Sequence, residues 1–161
     1  MNADKELLGR LWDEITPKLY GYLINTLKNP ALADDILQNT WLKAMEAMPR
    51  YEDRGHFSAW LFMIAKNEMR MHWRTANREI EYNPEIHKGE QDGYSDGKIF
   101  VEQVIARLSP EDQELVRFRY IADMSFGEIA KVLNLNPVNV RVKMHRVLKS
   151  VRDIIKSQNY E

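Results

Sequence analysis

Hydrophobic positions along this chain recur at helical spacing, and polar punctuation breaks them into separate runs. In PALADDILQNTWLKAMEAM, Ala33, Ile36, Leu37, Trp41, Ala44, Met45 and Met48 form the stripe of an amphipathic helix with its face in a core. Asn29 is placed to cap that helix and Pro30 to occupy its first position. A second run, FSAWLFMIAKNEMRMHWRTANR, buries Phe57, Trp60, Leu61, Ile64 and Ala65 by the same spacing. Further on, Ser109 and Pro110 start LSPEDQELVRFRYI, with Asp112 in a first turn that the helix dipole favours. Ser125 and Glu128 then supply the reciprocal S-x-x-E cap of a short helix, FGEIAKVL, which turns Ile129, Val132 and Leu133 inward. Asn136 and Pro137 start another helix after only Asn134 and Leu135, so the pair is predicted to be a helix-turn-helix.

Charge divides these runs into two groups. The stretch 79–98, EIEYNPEIHKGEQDGYSDGK, holds six acids against two lysines, with three glycines and no sustained helical period. It reads as a flexible acidic linker. The expectation is therefore an all-α chain of two small helical domains, 1–78 and 99–161, the second containing the helix-turn-helix. Within the second, between Asn139 and Lys156, Arg141, Lys143, Arg146, Lys149, Arg152 and Lys156 face only Asp153, a local excess that the formal net charge of -1 conceals.

Composition narrows the chemistry. With no cysteine, disulfides, thiolate metal sites and thiol nucleophiles are excluded. His56, His72, His87 and His145 lack ligand spacing, so no metal site is expected, and the glycines form no phosphate-cradling loop that would call for a nucleotide cofactor. The carboxylates are scattered rather than paired, and no enzyme activity is expected. The longest apolar run, Ala59–Ala65, is too short to span a bilayer, so the expectation is a cytoplasmic protein without membrane insertion.

Surface positions carry the functional signal. On the first helix, Asp35, Gln38 and Leu42 share one outward ridge, and the apolar Leu42 among polar neighbours suggests a partner surface. On the next, Lys66, Arg70, Arg74 and Arg78 repeat at four-residue steps. Cations there suit phosphates, while Trp73 has two readings, a core residue or an exposed platform for an unpaired base. The preceding loop contributes Tyr51, Arg54 and His56. On the last helix, Val140, Met144, Val147, Leu148, Val151 and Ile154 fall on a core side. Val138, Asn139, Val142, His145, Arg146 and Lys149 face outward, with Arg141 and Lys143 on the flanks. Outward valines beside asparagine and arginine suit the major groove, where thymine methyls and base edges are read.

Together, ALADDILQNTWLKA, SAWLFMIAKN, LSPEDQELVRFRYI and SFGEIAKVLNLNPVNVRVKMHR, in this order, resemble the extracytoplasmic-function class of bacterial sigma factors over nearly the whole chain. The resemblance implies an alternative sigma factor that binds core RNA polymerase, directs it to promoter DNA and assists melting. It implies that Asp35, Gln38 and Leu42 grip the clamp helices of the polymerase's largest subunit. Arg50, Tyr51, Arg54, His56, Lys66, Arg70, Trp73 and Arg74 would open and capture the minus-10 element. Val138, Asn139, Arg141, Val142, Lys143, His145, Arg146 and Lys149 would read the minus-35 element. An anti-sigma protein is a further implied partner. Met71 stands where an aspartate is common, and Pro137, Val138, Asn139 and Val142 where small or hydroxyl residues are, so promoter sequence does not transfer from relatives. A dimeric regulator that binds DNA without polymerase, and a decoy that titrates a regulator, stand as alternatives at this stage.

Overall fold

The structure is a computed structural model that describes residues 2–52, 55–79 and 96–159, with the backbone alone at 2–4, 77–79, 96 and 98–99. The described residues are all helical or loop, and the chain divides into two compact units, Met1–Gly89 and Glu90–Glu161.

The first unit contains α1 (Asn2–Leu27), α2 (Pro30–Ala47), a 3-10 turn at Met48–Arg50 and α3 (Phe57–Glu79). Helix α2 packs against both α1 and α3. The break before it is built locally. Lys28 takes a left-handed φ of 55° and donates its N–H to the Ile24 carbonyl at 2.9 Å. Asn29 then turns extended, its side chain accepts from the Leu32 N–H at 3.2 Å, and Pro30 occupies the first turn as expected. Leu19, Tyr22 and Leu23 of α1, Ala33, Ile36, Trp41 and Ala44 of α2, and Leu61, Phe62 and Ala65 of α3 make the core. Trp41 is held there by its indole N–H, which donates to Thr16 Oγ1 at 3.0 Å, and by Trp12, 4.6 Å away between ring centroids.

The expected α2 stripe needs a correction. Met45 is 48% exposed, whereas Thr40 is fully buried. At 100° per residue Met45 lies roughly 120° around the helix from Ala33, outside the buried face. Thr40 lies within that face, and its hydroxyl is satisfied by donating to the Ile36 carbonyl at 2.6 Å, which removes the cost of burying it.

The second unit contains α4 (Asp96–Ala106), α5 (Pro110–Val116), a π-helical turn (Arg117–Ile121), α6 (Phe126–Leu133) and α7 (Pro137–Gln158). Thus α3 reaches Glu79 and α4 starts at Asp96, so helices occupy both ends of the 79–98 stretch, whose remainder lies outside the described residues. Helix α7 packs against α4, α5 and α6. Phe118, Met124, Ile129, Val140, Met144 and Val147 are its buried centre, and Leu148, Val151 and Ile154 are half-buried.

Each expected cap in this unit is formed. Ser109 Oγ accepts from the Asp112 N–H at 3.3 Å. Ser125 Oγ accepts from the Glu128 N–H at 3.1 Å while the Glu128 carboxylate accepts from the Ser125 N–H, completing the capping box. Asn134 ends α6 at φ 54°, ψ 49°, and Asn136 Oδ1 accepts from the Val138 N–H at 2.9 Å to begin α7. Asparagine tolerates the left-handed region better than branched side chains, so the tight turn is encoded at Asn134.

Candidate nucleic-acid interface

Helix α7 presents one continuous exposed face. Val138 is 65% and Val142 44% exposed, and Asn139, Arg141, Lys143, His145, Arg146 and Lys149 are exposed with them. The opposite side holds Val140, Met144 and Val147 in the core, so the face cannot rotate without unpacking the unit. Two apolar side chains kept in solvent at the N-terminal end of a cationic helix suit a partner that offers both methyl groups and acceptors, as the DNA major groove does.

In the first unit the expected residues divide over neighbouring surfaces. Asp35, Gln38 and Leu42 are exposed on α2, Leu42 by 57%. Asp35, Gln38 and Asn39 form one wall of a groove of about 360 Å³, with Met71, His72 and Thr75 of α3 on the other wall. A second groove of about 470 Å³ lies between the same helices and is lined by Lys43, Ala47, Trp60, Asn67, Arg70 and Arg74 among others. Glu68 and Met71 border both grooves. Glu68 is buried and ion-paired with Lys43, whose ammonium also lies 3.8 Å from the Met71 sulfur. Lys43 therefore neutralises the carboxylate that separates an acidic, polar groove from a cationic one.

The structure brings Arg70 and Arg74 into one groove. Trp73 lies outside its lining and is 45% exposed, which answers the open reading of that residue against the core. Lys66 is half-buried on α3. Arg50 is exposed at the end of the 3-10 turn, and His56 is half-buried, its carbonyl accepting from the Trp60 N–H at 3.0 Å. Tyr51 stacks on Trp60 with centroids 4.3 Å apart and meets the edge of Phe57 at 5.6 Å. Arg54 lies outside the described residues.

Sequence reasoning placed Trp60 in the core and passed over Lys43. Trp60 is instead half-buried, with Tyr51 against its ring and the cationic groove beside it. The signal for Lys43 was its outward position on α2. Nothing in the linear sequence tied it to Glu68, which only the packing of α2 on α3 brings near. Among the described residues, no group of His, Asp or Glu side chains could hold a metal ion, and no helix is long and apolar enough to cross a membrane.

A helix-turn-helix unit with an exposed cationic face, together with a three-helix unit carrying a cationic groove beside exposed aromatic side chains, defines an all-helical protein of the kind that suits nucleic acid. Comparison with known proteins makes the class specific. Sigma-70 region 2 matches residues 11–79 and Sigma-70, region 4 matches residues 101–151. The chain is 23% identical to the ECF RNA polymerase sigma factor BldN of Streptomyces coelicolor, over 95% of this chain and 62% of BldN, less than two thirds of that relative's length. It is 29% identical to the RNA polymerase sigma factor CarQ of Myxococcus xanthus, over 86% of this chain and 83% of CarQ. Among solved structures, the fold is similar to the sigma factor RpoE from Bartonella quintana, solved with the anti-sigma factor NepR, at a TM-score of 0.70 and 21% identity. That likeness covers 94% of this chain and 98% of the other. The chain belongs to the sigma-70 family, in its extracytoplasmic-function group.

Proposed function

We propose that this chain is an alternative sigma factor that binds core RNA polymerase, carries it to particular promoters and helps to open the DNA there. The observation that carries this reading is the presence of both sigma-70 regions in order on one chain, the second presenting the exposed α7 face. Asp35, Gln38 and Leu42 serve as the polymerase-binding ridge. Arg50, Tyr51, Arg54, His56, Lys66, Arg70, Trp73 and Arg74 engage the minus-10 element, phosphates meeting the cations and an unpaired base meeting an aromatic ring. Val138, Asn139, Val142, His145 and Arg146 face the minus-35 bases, while Arg141, Lys143 and Lys149 meet the backbone.

The role is noncatalytic, since the polymerase forms the phosphodiester bonds, and it is exercised in the cytoplasm where that enzyme works. The domains accordingly divide as 1–78 for polymerase and minus-10 contacts and 99–161 for the minus-35 contact, with 79–98 joining them. An anti-sigma protein that covers these surfaces is the proposed regulator. Its support is the fold likeness to the sigma factor RpoE, solved in complex with the anti-sigma factor NepR.

The test is a fluorescence titration of the chain with bacterial core RNA polymerase. Asp35→Ala combined with Gln38→Ala is expected to weaken binding at least tenfold with the fold intact. Unchanged affinity would remove α2 as the docking ridge, and no binding by the unaltered chain would overturn the sigma reading itself.

A further inference from the structure

Phe126 is the first residue of α6, half-buried, and two guanidinium groups lie over its ring: Arg119 at 4.6 Å and Arg141 at 5.9 Å from the centroid. The three side chains come from different places in the unit, the π-helical turn, the start of α6 and the second turn of α7. Two of them are fixed. Arg119 Nη1 donates to the Met124 carbonyl at 2.9 Å, and Met124 is fully buried with its own N–H bonded to the Phe118 carbonyl at 3.0 Å. Phe126 lies within the Ser125–Glu128 capping box, directly after its Ser125 cap, and the box sets the backbone from which the ring projects. Arg141, by contrast, is an exposed side chain with several rotatable bonds, whose ordering on binding DNA costs rotamer entropy.

An aromatic face attracts a guanidinium within about 6 Å. The wide π-helical turn, closed by the Ala122 N–H on the Arg117 carbonyl at 2.9 Å, is what brings Arg119 to this ring. We infer that Phe126, anchored beside Arg119, is a positioning residue that holds the Arg141 guanidinium ready at the flank of α7 for one DNA backbone phosphate. Arg141 points to the side of the Val138, Val142 and Lys149 ridge, so it meets the backbone rather than a base edge. The two cations gathered at one ring repel each other until an anion arrives, and a phosphate oxygen accepting from Arg141 relieves that repulsion. The inference rests on reading α7 as the minus-35 helix.

The experiment uses the full chain assembled with core polymerase. As probe it uses a duplex selected by this assembly from promoters randomised in the minus-35 region. Affinity is measured across salt concentrations for the unaltered chain and its variants. Arg141→Ala is expected to lower the salt slope by about one phosphate contact. Phe126→Leu is expected to weaken binding about two- to fivefold, the range of an exposed cation–π contact. It should add nothing in the Arg141→Ala background, and Phe126→Tyr, which keeps the ring face, should restore full affinity. In the free chain, the NMR signal of the Arg141 Nε–H is expected to lose a ring-current shift in Phe126→Leu.

A Phe126→Leu effect that persists undiminished without Arg141 would overturn the positioning role, as would an Arg141 signal indifferent to the ring. An Arg141→Ala loss with no Phe126→Leu loss would do the same while leaving the minus-35 reading intact. If neither Arg141→Ala nor Arg146→Ala alters binding to any selected duplex, the minus-35 reading fails, and the inference fails with it.

Discussion

Lys43 and Glu68 show how one pair of side chains serves both stability and surface. Glu68 is 8% exposed, and its partner Lys43 keeps 47% of its side chain in solvent. Removing one partner of a fully buried pair costs about 3–5 kcal/mol because the other charge is left uncompensated. Here half of the pair is hydrated, so Lys43→Ala is expected to cost about 1–2 kcal/mol, and a further Glu68→Gln should return part of it. All four tryptophans, Trp12, Trp41, Trp60 and Trp73, belong to the first unit, so tryptophan fluorescence during urea unfolding reads this effect without interference from the second. A loss no greater than about 0.3 kcal/mol would show that the ion pair has no structural role. On the reading face, Arg146 is exposed and outward. A good bidentate contact to a base discriminates by about 1–3 kcal/mol, so Arg146→Ala should reduce transcription roughly five- to 150-fold at promoters that need a minus-35 element. Runoff transcription measures this, and promoters that work through minus-10 contacts alone should be unaffected.

At the scale of elements, the caps were the most legible part of the sequence. Asn29–Pro30, Ser109–Pro110, Ser125–Glu128 and Asn136–Pro137 each announce a helix start through local chemistry alone, and each forms as expected. Periodicity found the α7 core side at Val140, Met144 and Val147 for the same reason, because a helix's phase is a local property. What escaped was set by tertiary packing. Met45 satisfied the apolar alphabet of α2 but lies beyond the face that α1 and α3 cover, and Thr40 is buried through a hydrogen bond that spacing does not reveal. The π-helical turn at Arg117–Ile121 was equally invisible, since no residue type demands it, yet it brings Arg119 to Phe126. The turn between α6 and α7 offers a direct test of local encoding. Asn134 sits at φ 54°, a region that costs an ordinary L-residue roughly 1–2 kcal/mol and a β-branched one more. Asn134→Val is therefore expected to destabilise the second unit by about 2 kcal/mol, and Asn134→Gly to leave it as stable or slightly more so. Amide hydrogen exchange in α6 and α7 reads the change, and equal protection in the valine variant would show that the turn is not constrained by backbone conformation.

For the whole molecule, the separation of contacts between two units is the feature with the largest consequence for function. Each surface is modest alone: an exposed ridge on α2, a cationic groove of about 470 Å³, and one face of α7. The formal net charge of -1 leaves little long-range attraction to DNA, so on the proposed reading the cations on α7 act locally rather than by drawing the free protein to any duplex. Selectivity then comes from joining the contacts. On the proposed reading, once the first unit is docked on polymerase the covalent connection turns the minus-35 contact into an intramolecular event, with an effective concentration on the order of millimolar. Units added separately at about a micromolar would meet the same site roughly a thousandfold less often. A protease site inserted within 80–95 tests this, because it severs the connection while changing none of the proposed contact residues. The uncut insertion variant is expected to transcribe like the unaltered chain. Cleavage before assembly should abolish activity at promoters that need a minus-35 element while leaving polymerase binding by the first unit unchanged in titration. Full activity after cleavage would mean that each unit finds its own site on the polymerase and that the covalent connection adds nothing to promoter selection.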